Sequence, residues 1–364
     1  MNRSIDILSY GEPLVGFYPH FCNNKGDVEK PERDKPGDNR IGDGAFKSPQ
    51  EEPKRKVLES NHSFATLLPP AWQATWGGDT SNLALASSKL GLRVSYLTRI
   101  GKDLFGEGFL SLWQTHQIGT EWVQIDPEHP TGLYFASFLG KTHSLTYYRK
   151  DSAACHIKAS EFPVSVLDSV RIFHLSGISL SISPIARDFG VFLMMEAKKR
   201  GVVVSFDVNY RSPLLRPEEA KRFFPPLIRN YVDIVSFTQE EVEILGGLDS
   251  QDKEQRGVGN LAERFPGPSY HLLKRGSEGA FLWGPEGSCD LPAYPVQVVD
   301  TVGAGDAFLA GFLYAYLRGL PLAQAGKFAS AVAALVCTGM GPLEKQPTLA
   351  EVQDFLAARN PQDT

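Results

Sequence analysis

From Val170 onward the chain switches repeatedly between two hydrophobic periods, and that alternation restricts its fold more than any other feature. Short apolar runs at Arg171–Leu175, Val202–Val208, Asp233–Thr238 and Tyr270–Lys274 have the length and composition of buried strands. Between them, Pro184–Arg200 and Pro217–Tyr231 read as helices. Strands that alternate with helices predict a mainly parallel sheet with helices on both faces, an α/β fold. The first part of the chain fits the same scheme. Ile5–Tyr10 is a first strand, closed by Gly11-Glu12-Pro13. A helix at Ser81–Leu90 follows, then a turn at Gly91, a strand at Val94–Thr98, and a helix at Leu104–His116 ending before Gly119. Gly132–Phe138 and Ser144–Arg149 alternate in polarity and predict a hairpin.

One segment breaks the scheme. Residues 23–61 hold nine Lys or Arg and nine Asp or Glu in 39 residues, with Phe46 as the one aromatic. Such a segment cannot bury enough apolar surface to offset its ordering entropy, so a long disordered surface insertion is expected there. The remainder of the 364 residues, 42% hydrophobic over the whole chain, suffices for one large domain with a subdomain. The net charge of −5 comes with no basic stripe, which argues against a nucleic-acid partner. Cys22, Cys155, Cys289 and Cys337 are far apart and form no C-x-x-C pair. Reduced thiols in a cytoplasmic chain are the expectation, with neither structural zinc nor a disulfide frame. The opening MNRSIDILSYGEP has no signal-peptide core, and no apolar run approaches the ~18 residues of a membrane span.

The residues that carry chemistry cluster in a few strings. Asp300–Tyr316 reads DTVGAGDAFLAGFLYAY. A β-like approach at Val296–Val299 enters a Gly-Ala-Gly turn, and an apolar helix is expected from about Ala307. Gly303 and Gly305 allow a tight turn with uncovered N–H groups, and a helix N-terminus favours an anion there. Asp306 stands in the same positive spot, placed to take a proton from a hydroxyl that attacks a phosphate. A plain capped helix start is the competing reading. Upstream, Gly77-Gly78-Asp79-Thr80-x-Asn82 opens a helix with donors and acceptors suited to sugar hydroxyls. Tyr147 and Arg149 alternate onto one strand face, where the guanidinium could fork a carboxylate; a solvated arginine on an edge strand is equally open. Tyr134, in Thr131-Gly132-Leu133-Tyr134, adds a hydroxyl. Asp207, Asn209 and Arg211 follow a buried strand, where ligands of doubly wound sheets bind. A second arginine there suggests an anionic substrate. The chain has neither GxxxxGK[ST] nor a G-x-G-x-x-G after its first strand, which argues against a Walker-type site and against a dinucleotide-dependent oxidoreductase.

Asp300-Thr301-x-Gly303-Ala304-Gly305-Asp306 with its apolar helix closely resembles the C-terminal signature of the ribokinase-like (PfkB-type) carbohydrate kinases. Gly77-Gly78 with Asn82, Gly91, and Gly101-x-Asp103-x-x-Gly106 match that family's earlier elements. The resemblance covers nearly the whole chain outside 23–61. It implies one domain over 1–364: a three-layer α/β/α unit with a mainly parallel sheet and a small β-sheet lid near 14–18, 67–76 and 132–149. It also implies Asp306 as catalytic base, with the N–H groups of Gly303, Ala304 and Gly305 as an anion hole for the transferred phosphoryl group. Gly77, Gly78, Asp79 and Asn82 would line the sugar site. Lys274, Gly276, Ser277 and Gly279, in the Lys-x-Gly-x-x-Gly element, would lie along ATP. Glu241 would help organise Mg2+ through water. Two positions depart from the family pattern: Thr238 stands in place of an asparagine beside the metal, and Ser330 in place of one near the adenine.

Within the family, the strings T-G-L-Y, Y-Y-R-K-x-S-A, H-L-S-G-I and D-V-N-Y-R-x-x-L are most similar to 2-keto-3-deoxygluconate kinases. That similarity implicates Tyr134, Tyr147, Arg149, Asn209 and Arg211 in holding a sugar acid. ATP-dependent phosphorylation of a small-molecule sugar acid at a primary hydroxyl is therefore expected, in a homodimer or higher homo-oligomer. A fructokinase or other neutral-sugar kinase remains an alternative, as does a catalytically weak sugar-binding regulator.

Overall fold

The computed structural model describes residues 3–20, 71–139, 142–246 and 261–359. The expected insertion at 23–61 and the first part of the 67–76 lid segment lie outside these residues. In chain order the strands are β1 (Ile5–Tyr10), β2 (Leu14–His20), β3 (Ala71–Gly77), β4 (Val94–Gly101), β5 (Gly119–Asp126), β6 (Gly132–Leu139), β7 (Thr142–Tyr148), β8 (Val170–Ser176), β9 (Val203–Asp207), β10 (Ile234–Thr238), β11 (Tyr270–Lys274), β12 (Ala280–Gly284) and β13 (Gly287–Leu291). The helices are α1 (Asp79–Lys89), α2 (Leu104–Thr115), α3 (Pro184–Lys199), α4 (Pro217–Tyr231), α5 (Gln239–Ile244), α6 (Leu261–Arg264), α7 (Ala304–Leu317), α8 (Leu322–Val336) and α9 (Leu349–Ala357).

The larger sheet has the order β13-β12-β11-β10-β9-β8-β1-β4-β5. It is parallel except at β12 and β13, which pair antiparallel at one edge. Successive residues of its central strands go to opposite layers. Ile7, Ile172, Ile234 and Leu272 join one core, packed with α1, α2, α7 and α8 through Leu83, Trp113, Phe312 and Val332. Their neighbours Leu8, Phe173, Val235 and Leu273 join the other, packed with α3 and α4 through Leu193 and Phe224. This is the period-2 pattern of strands buried on both faces, and it gives the three-layer α/β/α arrangement. Because β1 has β4 on one side and β8 on the other, the chain reverses its direction of travel across the sheet at β1. A crevice opens beyond the carboxyl ends of the strands at such a point.

The smaller sheet, β3-β2-β6-β7, stands over that crevice as the lid. Its β2 and β6 run parallel with Gly16 opposite Tyr134. A methyl group at Gly16 would lie 2.3 Å from the Tyr134 ring, so the absent side chain makes room for the tyrosine. Leu14, Tyr18, Tyr134 and Ala136 form the buried face of this sheet.

Two local expectations are corrected. Val296–Val299 forms no strand; the segment is irregular before the glycine turn. The helix expected from Ala307 begins at Ala304, because Gly303 takes the left-handed conformation (φ 81°) and caps it. Asp306 therefore lies inside the first turn rather than ahead of the helix.

Candidate active site

A cavity of about 1320 Å3 runs between the lid and the carboxyl ends of the large sheet, and the residues singled out from the sequence as site candidates, Thr80 apart, line it. The strings separated by more than 200 positions meet there because β1, β9, β10 and β11 all end at one edge and α1 and α7 begin there.

Asp306 is half-buried at the centre. Its Oδ2 accepts a hydrogen bond from Asn82 Nδ2 at 2.8 Å, which links the first turns of α1 and α7. Burial, together with the nearby carboxylates of Asp79 and Asp207, pushes its carboxyl up to about 8; the Asn82 hydrogen bond and Lys274 work in the opposite direction. Such a group is close to the protonation balance useful to a general base at neutral pH. The backbone turn over Gly303, Ala304 and Gly305 faces the same space. A Cβ on Gly303 would lie 2.7 Å from Pro342 Cβ, and one on Gly305 would lie 3.4 Å from Lys274 Nζ.

Lys274, at the end of β11, donates to Asp207 Oδ2 at 2.7 Å. Burial alone would lower its pKa, but Asp207 and Glu241 outweigh that and hold it above the usual lysine value, so it stays a cation beneath the glycine turn. Glu241 is buried, and its two oxygens accept from the N–H groups of Tyr210 (2.8 Å) and Thr238 (2.7 Å). It closes a capping box with Thr238 at the start of α5. Gly276, Ser277 and Gly279 form the turn between β11 and β12 and border the cavity. Ser330, on α8, is buried nearby.

At the lid end, Tyr134 is buried and shares a hydrogen bond with Tyr18 across 3.3 Å. Tyr147 is 39% exposed, with the Arg149 guanidinium 5.7 Å from its ring centre. Arg149 is buried rather than solvated, and it pairs with a carboxylate of the protein itself, Glu12. Ser152 Oγ also donates to Glu12, at 2.6 Å. Glu12 was not singled out by sequence reasoning, since Gly11-Glu12-Pro13 reads as a simple turn. Its one signal is position: it follows the central strand at the crevice. The reading of two arginines as two free anion sites is thereby changed. Arg211 Nη1 donates to the Tyr210 carbonyl at 2.8 Å and has no ion-pair partner among the described residues. Asn209 (φ 34°) donates to Asp79 Oδ2 at 2.9 Å. Thr80, grouped with them in the sequence, turns away instead and bonds the Tyr96 hydroxyl in the core at 2.8 Å. Asp103 is likewise structural: it caps α2 and holds Thr131.

Buried atoms of the cavity wall point to a polar ligand. Asn82 Oδ1, Asp207 Oδ1, Ser330 Oγ and Arg149 Nε are buried with no hydrogen-bond partner among the described residues. Orphaned atoms of this kind cost free energy and concentrate where a ligand completes them.

Known proteins resemble this chain in sequence and in fold. Residues 57–349 fit the pfkB family carbohydrate kinase model. The 5-dehydro-2-deoxygluconokinase of Shouchella clausii is 30% identical over 301 residues, 82% of this chain and 89% of its own length. The 2-dehydro-3-deoxygluconokinase of Thermoproteus tenax is 31% identical over 287 residues, 77% of this chain and 85% of its own. The crystal structure of a fructokinase with bound ATP from Xylella fastidiosa superimposes with a TM-score of 0.75 at 21% identity, covering 98% of this chain and 99% of the other. With the family's model spanning most of its length and relatives this similar, the chain is a member of the pfkB carbohydrate kinases, phosphotransferases that act on an alcohol group.

Proposed function

We propose that this protein transfers the γ-phosphate of ATP to a primary hydroxyl of a six-carbon sugar acid, with 2-keto-3-deoxygluconate as its leading substrate. The observation that carries the reading is Asp306 in the first turn of α7, bonded to Asn82. Asp306 takes the proton of the attacking hydroxyl. The N–H groups of Gly303 to Asp306 stabilise charge on the moving phosphoryl oxygens, and the Lys274 cation supports them from below. The nucleotide lies along Gly276, Ser277 and Gly279 towards Ser330, whose orphaned hydroxyl can bond the base.

The residues present also suit Mg2+. Asp207 keeps one buried oxygen without a partner, whereas both oxygens of Glu241 already accept N–H groups. That donor set fits an ion held largely through waters and nucleotide phosphates, with few direct carboxylates. Bound there, the ion would offset phosphate charge.

The sugar lies between Asp306 and the lid, with its hydroxyls on Asp79, Asn82, Asn209 and Tyr134. Its carboxylate faces Arg211, the cleft arginine with no ion pair among the described residues, while Tyr147 and Arg149 close the wall beside it. Fixing the hydroxyl against Asp306 in this way is mainly an entropic gain. A neutral-sugar kinase is the second reading, and the Glu12–Arg149 pair favours it, since the charge of that arginine is already met. A coupled ADP-release screen with 2-keto-3-deoxygluconate, 5-dehydro-2-deoxygluconate and fructose separates the two. A kcat/KM highest for fructose would overturn the sugar-acid assignment. In the same assay Asp306→Asn is expected to lose at least about 10²-fold in turnover. Its ATP affinity, read by calorimetry, should be retained. A variant with wild-type turnover would remove Asp306 from the role of base.

A further inference from the structure

We propose that His129, Asp151 and His156 form a binding site for a divalent transition-metal ion, Zn2+ by ligand type, at the root of the lid and outside the catalytic cleft. One ligand atom from each of the three residues lies within 4.8 Å of the others. His129 precedes β6, where the chain enters the lid hairpin. Asp151 and His156 follow β7, where it leaves. An ion held by all three would tie entry to exit.

The surroundings are those of a prepared ligand. Asp126, which is buried, has its Oδ2 3.0 Å from His129 Nδ1. That carboxylate is itself fixed by Arg99 Nε at 2.7 Å and by the N–H groups of Glu128 (2.8 Å) and His129 (3.1 Å). A histidine that donates Nδ1–H to a fixed carboxylate keeps its Nε2 lone pair for a metal and is oriented towards it. The His156 ring stacks on that of His129 with centres 3.7 Å apart. Its Nε2 lies 2.6 Å from Asp151 Oδ1, so an ion would replace the proton shared between them. Both imidazoles are about a quarter to a third exposed and border a pocket of about 420 Å3, which leaves the His156 ring room to turn towards an ion held on His129. Two neutral imidazoles and one carboxylate suit Zn2+ at about 2.0–2.2 Å, with water as fourth ligand.

The test is a Zn2+ titration of metal-stripped protein against a chromophoric chelator, with excess Mg2+ present. The wild type should hold one Zn2+ per chain that Asp306→Asn also holds. His129→Ala and His156→Ala should each weaken it at least about tenfold, since even outer residues of such sites carry ~10–100-fold in affinity. Bound Zn2+ should also raise the melting temperature of the wild type, and of neither histidine variant. If His156→Ala misfolds, His156→Gln, of similar size, carries the same expectation. A wild type that does not compete with the chelator, or histidine variants that bind as tightly as it does, would overturn the site.

Discussion

In the proposed role of base, Asp306 carries two demands that oppose each other. To accept a proton it would have to lose its own, yet the cleft is a poor place for another negative charge. Burial, Asp79 and Asp207 raise its pKa to about 8, and Asn82 and Lys274 limit the rise. In the proposed role the active form is the carboxylate, so kcat/KM should climb with pH and level off above about 8. Removing the Asn82 amide takes away a hydrogen bond to the charged form, so Asn82→Ala should move that climb to higher pH. A pH–rate profile of the two proteins checks this, and an unmoved profile would break the link. The same group sets a stability trend. Its folded-state pKa lies above the ordinary 3.8, so the folded state binds the proton more tightly than the unfolded chain does. The contribution of Asp306 to stability is complete below pH 3.8 and is lost as pH rises to about 8. Asp306→Asn, which cannot ionise, should therefore melt at a higher temperature than wild type at pH 8.5, with a smaller advantage at pH 5. Thermal scans at the two pH values give the comparison.

The start of α7 depends on one backbone conformation. Gly303 holds φ at 81°, and a Cβ there would strike Pro342. Gly303→Ala should cost about 1–2 kcal/mol for the left-handed conformation alone. It should also lower turnover steeply, because relief of the clash moves the N–H groups beside Asp306. Urea midpoints and kinetics on one preparation test both effects; a variant that lost neither would show that the turn is not required. This element was largely legible in the sequence, since two glycines and an acid before an apolar run have few other uses. The elements of the large sheet were legible too, because strands buried on both faces and amphipathic helices differ in period. The exact start of α7 was hidden, since an alanine and a glycine carry no pattern, and three residues of helix were missed. Arg149 lines the cavity, but its partner was not foreseen. Glu12 meets it only through the lid's attachment to β1, a contact 137 positions apart.

At the scale of the molecule, the cleft joins a rigid sheet edge to a lid hung from it by the Glu12–Arg149 pair. Among the described residues that line it, Glu12, Asp79, Asp207, Glu240, Glu241, Glu243 and Asp306 are acidic, whereas Arg149, Arg211, Lys274 and Arg275 are basic. Even with Asp306 holding its proton, six acids face four bases, so the cavity repels a polyanion unless another cation enters with it. Low-dielectric walls strengthen that repulsion. A nucleotide triphosphate alone should therefore bind weakly, and its divalent complex well. Chelation with EDTA should take phosphoryl transfer to background and weaken ATP binding at the same time. Re-addition of Mg2+ should restore both, and Ca2+, with its longer bonds and looser geometry, should restore binding more than turnover. Calorimetry and ADP release, each run with and without the ion, separate the two effects. If ATP binds equally well to the metal-free protein, charge balance in the cleft is not what governs its entry.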